Sequence, residues 1–319
     1  MATEGPRIAA NWTTAAGALE GMLTYLGAPL PRHAVMGLTG HAWHFSLVSR
    51  DSVHALPEGV VDLDWVGMVG RYAACGYGFE RFSGEGKEAA IGWATGHLDA
   101  GRPLIGWDFH LHEFGIVYAH DPVAEAFMVE SVLTEEVGPI AHYRDWPSSL
   151  GLIELFAPTG PVDLDPIDAI GSALAFGVEA LEGTVAGNPA LVGYTTARGA
   201  AGFDAWADAL ESDEEVDRAG NAYLLGVVQN ARIDGSAFLG DVAAALPELA
   251  TPLEKARLSL NELAKALSPL ITLFPCPTGG HGNITNPGLR QAAANPLRRA
   301  ARFDREAAQH MREALEILG

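Results

Sequence analysis

Two short stretches in the first half of the 319-residue chain have residue types and spacing that could carry chemistry. One is Thr13-Thr14, directly ahead of Leu19, Met22, Leu23 and Leu26, whose i, i+3, i+4, i+7 spacing predicts a helix over 14–26 closed by Gly27. A helix N-terminus carries unpaired N–H groups and a partial positive charge, which favour a deprotonated nucleophile and an oxyanion beside it. A threonine at such a place is equally a plain N-cap. The other stretch is Asp108-Phe109-His110-Leu111-His112. In an extended strand alternate side chains share a face, so Asp108, His110 and His112 would project together. Two imidazoles and a carboxylate suit zinc or a related divalent ion, with His120 or Asp121 adding a ligand from the next turn. Neutral histidines bonded at a sheet surface give the same pattern.

Weaker signals surround these. His41 and His44 in GHAWHF would share a face if that stretch were helical, and they are read as lining of a cleft. The loop TGGHGNITNPG around His281 is rich in glycine, but it lacks the strand, lysine and immediate helix of a phosphate-binding loop and reads as a connection. Cys75 and Cys276 stand far apart in sequence, too few for a cysteine-based metal site and without the context for a disulfide.

The elements that must position these groups change character near residue 160. Nine of the eleven histidines and six of the seven tryptophans precede that point, and the remainder is rich in Ala, Leu and Glu at helical spacing. Helices are predicted over 14–26, 63–74 and 88–98, followed by four short β-rich runs, RPLIGWDFH, HEFGIVYA, AFMVESV and GLIELFA. Helices followed by a meander predict α+β packing on an antiparallel sheet. FAPTGPVDLDP, with Pro158, Pro161 and Pro166, reads as a linker. Beyond it helices are predicted over 166–184, 200–211, 214–230, 235–246 and 251–269, then a loop from Phe274 to Asn295 and a last helix capped by Asn295 with Pro296 at its first position. A helical bundle follows, with domains at 1–160 and 165–319.

Forty acidic residues against twenty basic ones give a net charge of −20, which repels phosphate backbones and anionic lipid. Nucleic acid and membrane are therefore not expected as partners. The start MATEGPRIAANW lacks the layout of a signal peptide, and no apolar run reaches the ~20 residues of a membrane span, so a cytoplasmic location is expected.

The helix TAAGALEGMLTYLG resembles the C-G-P-A-A-L-x-M-V-L-x-Y-L-G helix that opens papain-like domains of the bacteriocin-processing peptidase type. GLTGHAWHF is similar to the Gly-rich segment of the butirosin-biosynthesis protein H N-terminal family, which transfers an acyl group, and GRPLIGWDFHLHEFGIVYAHDPVAEAFMVES resembles its strand pair. NARIDGSAFLGDVA and LFPCPTGGHG are similar to the helical domain that follows in that family. By position the resemblance places the family's nucleophilic Cys on Thr14, its His on His112 and its Asp on Glu130, with Asn11 the nearest amide to the family's oxyanion-hole Gln.

What the resemblance implies is acyl transfer or amide hydrolysis on a small peptide-like or aminoglycoside-like substrate. Thr14 would attack, His112 take the proton and Glu130 orient the ring, while Asn11 and the Thr14 N–H receive the oxyanion. Because threonine replaces the thiol, a second reading keeps the fold and cleft as a small-molecule or peptide binding protein without chemistry. The histidine-based metal site is a third. No cofactor or resident metal is expected. The partner is a small-molecule or peptide substrate, a carrier-protein-bound acyl donor being one form of it, and a homo-oligomer is compatible with the sequence.

Overall fold

The computed structural model describes residues 5–147 and 151–319. The chain divides into two compact units, Met1–Val35 with Val66–Leu164 and Met36–Trp65 with Asp165–Gly319. The fold is mixed α and β, with a six-stranded antiparallel sheet in the first unit and a predominantly helical C-terminal region.

The sheet runs in the order Tyr77–Arg81, Leu155–Pro161, Leu104–Trp107, Phe114–Asp121, Ala126–Glu130, Ile140–His142. The four predicted β-rich runs supply its four central strands. The two edge strands, Tyr77–Arg81 and Ile140–His142, are not among the predicted runs. On one face Val117, Phe127, Val129, Leu155 and Ala157 pack with Ala90 and Ala94 of the helix Lys87–Asp99. The helix Thr14–Tyr25 packs against the strand Phe114–Asp121.

That opening helix is buried along most of its length, from Thr14 to Leu19 and from Gly21 to Leu23. Gly17 and Gly21, four apart, lie under the chain that precedes the helix. A Cβ on Gly17 would stand 2.4 Å from the Ala9 carbonyl oxygen, and one on Gly21 would stand 1.9 Å from that of Arg7. Only glycine admits this crossing, which the Ala9 N–H closes by donating to the Gly17 carbonyl at 3.0 Å. Leu26 caps the helix and Gly27, at φ +79°, follows at C′ as predicted.

The predicted linker is partly strand: Leu155–Pro161 takes its first half, pairing with Tyr77–Arg81. Asp165 then caps the helix Pro166–Glu182, its carboxylate accepting from the Ile167 N–H at 2.8 Å.

In the second unit the helices Pro166–Glu182, Gly199–Glu211, Arg218–Ala245, Ala250–Leu273 and Pro287–Leu318 depart from the sequence reading at two points. The two helices predicted over 214–230 and 235–246 are one. Gly235 does not break it; a Cβ there would meet the Trp43 indole at 2.6 Å, so the glycine makes room for a ring. The last helix begins at Pro287 under an Asn286 cap, not at Pro296 under Asn295. The same Asn-Pro pair occurs at both 286–287 and 295–296, and Pro296 is carried inside the helix between buried Ala293, Ala294 and Leu297.

The segment Met36–Trp65, expected within the first domain, belongs to this second unit. Its strand Ser46–Ser49 pairs antiparallel with Thr195–Arg198, and Val53–His54 pairs parallel with Glu215–Val216. Asp62 is fully buried and accepts from Ser46 Oγ at 2.7 Å, Arg198 Nε at 2.7 Å and the Asn188 N–H at 3.2 Å. Among the described residues no helix is long and apolar enough to cross a membrane.

Candidate functional site

The N-terminus of the opening helix is built from the residue before it upward. Asn11 Oδ1 accepts the Thr13 N–H at 3.0 Å, and Thr13 is the N-cap, with extended backbone and no capping bond from its own side chain. Gly17 donates to the Thr13 carbonyl, so the N–H groups of Thr14, Ala15 and Ala16 have no acceptor within the helix. Thr14, at the first helical position, is 6% exposed. Its hydroxyl donates to Glu113 Oε2 at 2.5 Å and accepts from the Phe114 N–H at 3.0 Å. A hydroxyl has one proton to give, and here Glu113 receives it.

The hydroxyl of Thr14 is thus bonded to the carboxylate of the residue after His112, the expected base, and not to the His112 ring. The cause lies in the chain between the strands. After Trp107 it enters a loop in which Asp108, at φ +70°, donates its N–H to the Glu113 carbonyl at 3.0 Å. The predicted extended run Asp108–His112 is thus a hairpin connection, and Glu113 is the residue that enters the strand Phe114–Asp121 opposite the helix end.

The loop also separates the expected metal ligands. The His112 ring lies parallel to the Trp107 indole, centroids 6.5 Å apart, with Nε2 3.8 Å from Oδ1 of buried Asp108. His110 instead meets Ser131 Oγ through Nδ1 at 3.1 Å and the Ile140 carbonyl through Nε2 at 3.2 Å. His120 sits against Asp99 at 2.9 Å, and Asp121 accepts the N–H groups of Val123 and Ala124, which hold its carboxyl below the usual carboxylate range. Among the described residues no group of three or more His, Cys, Asp or Glu could hold a metal ion.

Glu130 lies opposite Ile116 in the ladder between Phe114–Asp121 and Ala126–Glu130, the hairpin that the turn at Asp121-Pro122 predicts. Arg7 stands beside it at 3.4 Å, and Asp108 stands 3.8 Å from His112, so each residue of the expected His112–Glu130 pair has an ion-pair neighbour of its own. The phenol of Tyr118, on the neighbouring strand Phe114–Asp121, is pushed up by burial and by the Glu130 carboxylate, against the opposing effect of Arg7. Asn11 stays at the helix entry as expected, and its Nδ2 is buried without a hydrogen-bond partner.

No family model matches the chain, and no curated protein matches it. What the site can do rests on its geometry. An anion at the positive end of a helix is stabilised there, and Glu113 occupies that place through the Thr14 hydroxyl. As a base a carboxylate is roughly a hundredfold weaker than an imidazole, and its charge opposes an oxyanion beside it. Glu113 escaped the sequence reading because the imidazoles flanking it in HLHE attract the base role; the length of the 108–113 connection, which decides the assignment, has no sequence signature.

Proposed function

We propose that the first unit is a papain-like domain that keeps the helix-against-strand frame without its chemistry, and that it binds a small molecule or peptide. The observation that carries this reading is the Thr14 hydroxyl donating to Glu113. Acyl transfer needs the nucleophile's proton to go to a base strong enough to hold it and needs room for a developing negative charge; a carboxylate bonded to the hydroxyl meets neither need. Asn11 Nδ2, buried and unpaired beside the helix N–H groups, favours a ligand that presents a carbonyl or other acceptor.

The test is Thr14→Cys in a Cys276→Ser background. Cys276 is exposed, whereas Cys75 is buried and its thiol is pushed up to about 12 by that burial, so only the introduced thiol should respond. We expect iodoacetamide to alkylate it no faster than free cysteine, with no change on His112→Ala. A panel of short peptides and acylated amino sugars should include ligands whose thermal stabilisation is lost in Asn11→Ala. Alkylation at least tenfold faster and dependent on His112 would instead restore the acyl-transfer reading.

A further inference from the structure

The second unit holds a hydrogen-bonded chain of a different kind, independent of the reading of the first. The strand Ser46–Ser49 turns through Asp51 and Ser52, at φ +53° and +63°, into Val53–His54. The bridge between Arg50 and Val53 makes Ser49 and His54 the next residues across the hairpin. Ser49 Oγ lies 2.8 Å from His54 Nδ1. The parallel pairing of Val53–His54 with Glu215–Val216 brings Glu214 to the other side of the ring, where its Oε2 lies 2.7 Å from His54 Nε2.

The direction of the protons follows from donor and acceptor chemistry. An ionised carboxylate can only accept, so in the neutral imidazole Nε2 carries the proton and Nδ1 presents a lone pair. Ser49 then donates its hydroxyl proton to a ring that the acid holds in orientation. All three side chains line a cavity of about 510 Å³, within the range of small-molecule sites. Asp51, Asp208 and Glu214 stand on its walls against Arg50 and against Arg298, which is bonded to Asp208 at 2.9 Å, so the acids still outnumber the guanidiniums and disfavour anionic ligands. Two consecutive non-glycine residues in the left-handed region, at the turn that aligns Ser49 with His54, hold a costly conformation.

We propose that Ser49, His54 and Glu214 form a nucleophilic site that hydrolyses small neutral or cationic carboxylic esters. Ser49 Oγ bonds to the ester carbonyl carbon as its proton passes to His54 Nδ1. The alkoxy bond then breaks, and the leaving alcohol takes that proton from His54. Water, deprotonated by the same nitrogen, attacks the acyl-serine and releases the carboxylic acid, returning the proton to Ser49. Glu214 stays ionised throughout, orienting the ring and balancing its charge while it is protonated.

The test treats the full chain with a serine-selective fluorophosphonate and maps the adduct by peptide mass spectrometry. p-Nitrophenyl acetate serves as the neutral ester and butyrylcholine as the cationic one, its hydrolysis followed by acid release. The expected result is an adduct on Ser49 and hydrolysis that disappears in Ser49→Ala, falls about 100-fold in His54→Gln and about tenfold in Glu214→Gln. Far-UV circular dichroism and Tm establish that each variant is folded. Should Ser49→Ala misfold, the adduct on the wild-type chain decides the matter by itself. Absence of an adduct at Ser49, or hydrolysis by a folded Ser49→Ala equal to wild type, would overturn the proposal.

Discussion

Thr14 and Ser49 are both hydroxyls within hydrogen-bond reach of a proton acceptor, and the difference between their acceptors separates a fastener from a reactive group. Thr14 is nearly buried and bonded directly to the Glu113 carboxylate at a helix end. Ser49 lines a cavity and is bonded to an imidazole, with the Glu214 carboxylate one ring further away. An acid in direct contact fixes a hydroxyl and repels the charge that attack would create. An acid behind an imidazole orients a base that can receive the proton and return it. The same residue types thus serve opposite ends according to which of them stands in the middle.

The largest effect should come from removing what holds the second arrangement in place. Asp62→Ala takes away the acceptor for Ser46, Arg198 and the Asn188 N–H beneath the strand that carries Ser49. It should cost about 3 kcal/mol in chemical denaturation, because it leaves a partly buried cation and several donors without their acceptor, and fluorophosphonate labelling of Ser49 should fall with it. Unchanged stability would mean that the acid does not organise that hairpin.

The comparison can also be inverted in the first unit. Placing an imidazole where the carboxylate stands, by adding Glu113→His to Thr14→Cys, should raise thiol alkylation near neutral pH by about 100-fold, as an imidazolium and a helix N-terminus favour the thiolate. If the double variant reacts no faster than Thr14→Cys, the carboxylate is not what silences the site. Smaller effects follow from Thr14 itself. Thr14→Val keeps the shape but removes the hydroxyl that bonds the Glu113 carboxylate and the Phe114 N–H, and should cost about 2 kcal/mol. Thr14→Ser keeps both bonds and loses one buried methyl group, so its change in stability should stay within about 1 kcal/mol.

Features set by local spacing were legible in the sequence: the helix from Thr14, its Gly27 terminus, the four central strands and the hairpin at Asp121-Pro122. Features set by residues distant in the chain were not. The strand Ser46–Ser49 is neither long nor alternating, and only its pairing with Thr195–Arg198 shows where it belongs. The Ser49–His54 contact requires the register of a two-residue turn, and Glu214 arrives from a parallel bridge 160 positions away. Of the transferred site, Asn11 bonds the Thr13 N–H one residue before Thr14, whereas His112 stands beside Asp108 and Glu130 beside Arg7. Position in a motif gives a residue's place along the strand, but a loop one residue longer or shorter decides which side chain faces the helix.

The excursion of Met36–Trp65 into the second unit also constrains the order of events on the ribosome. The strand Ser46–Ser49 must wait for about 150 further residues before its partner Thr195–Arg198 exists, and at ordinary elongation rates that interval is roughly 7–30 s. During it the strand's backbone groups and the Asp62 carboxylate are without their final partners, while the sheet of the first unit can close as soon as Leu155–Pro161 has emerged. Synthesis therefore threads an unfinished loop out of a finished body, and a message that slows translation between codons 165 and 195 would lengthen the time that loop spends exposed to proteases and to other nascent chains.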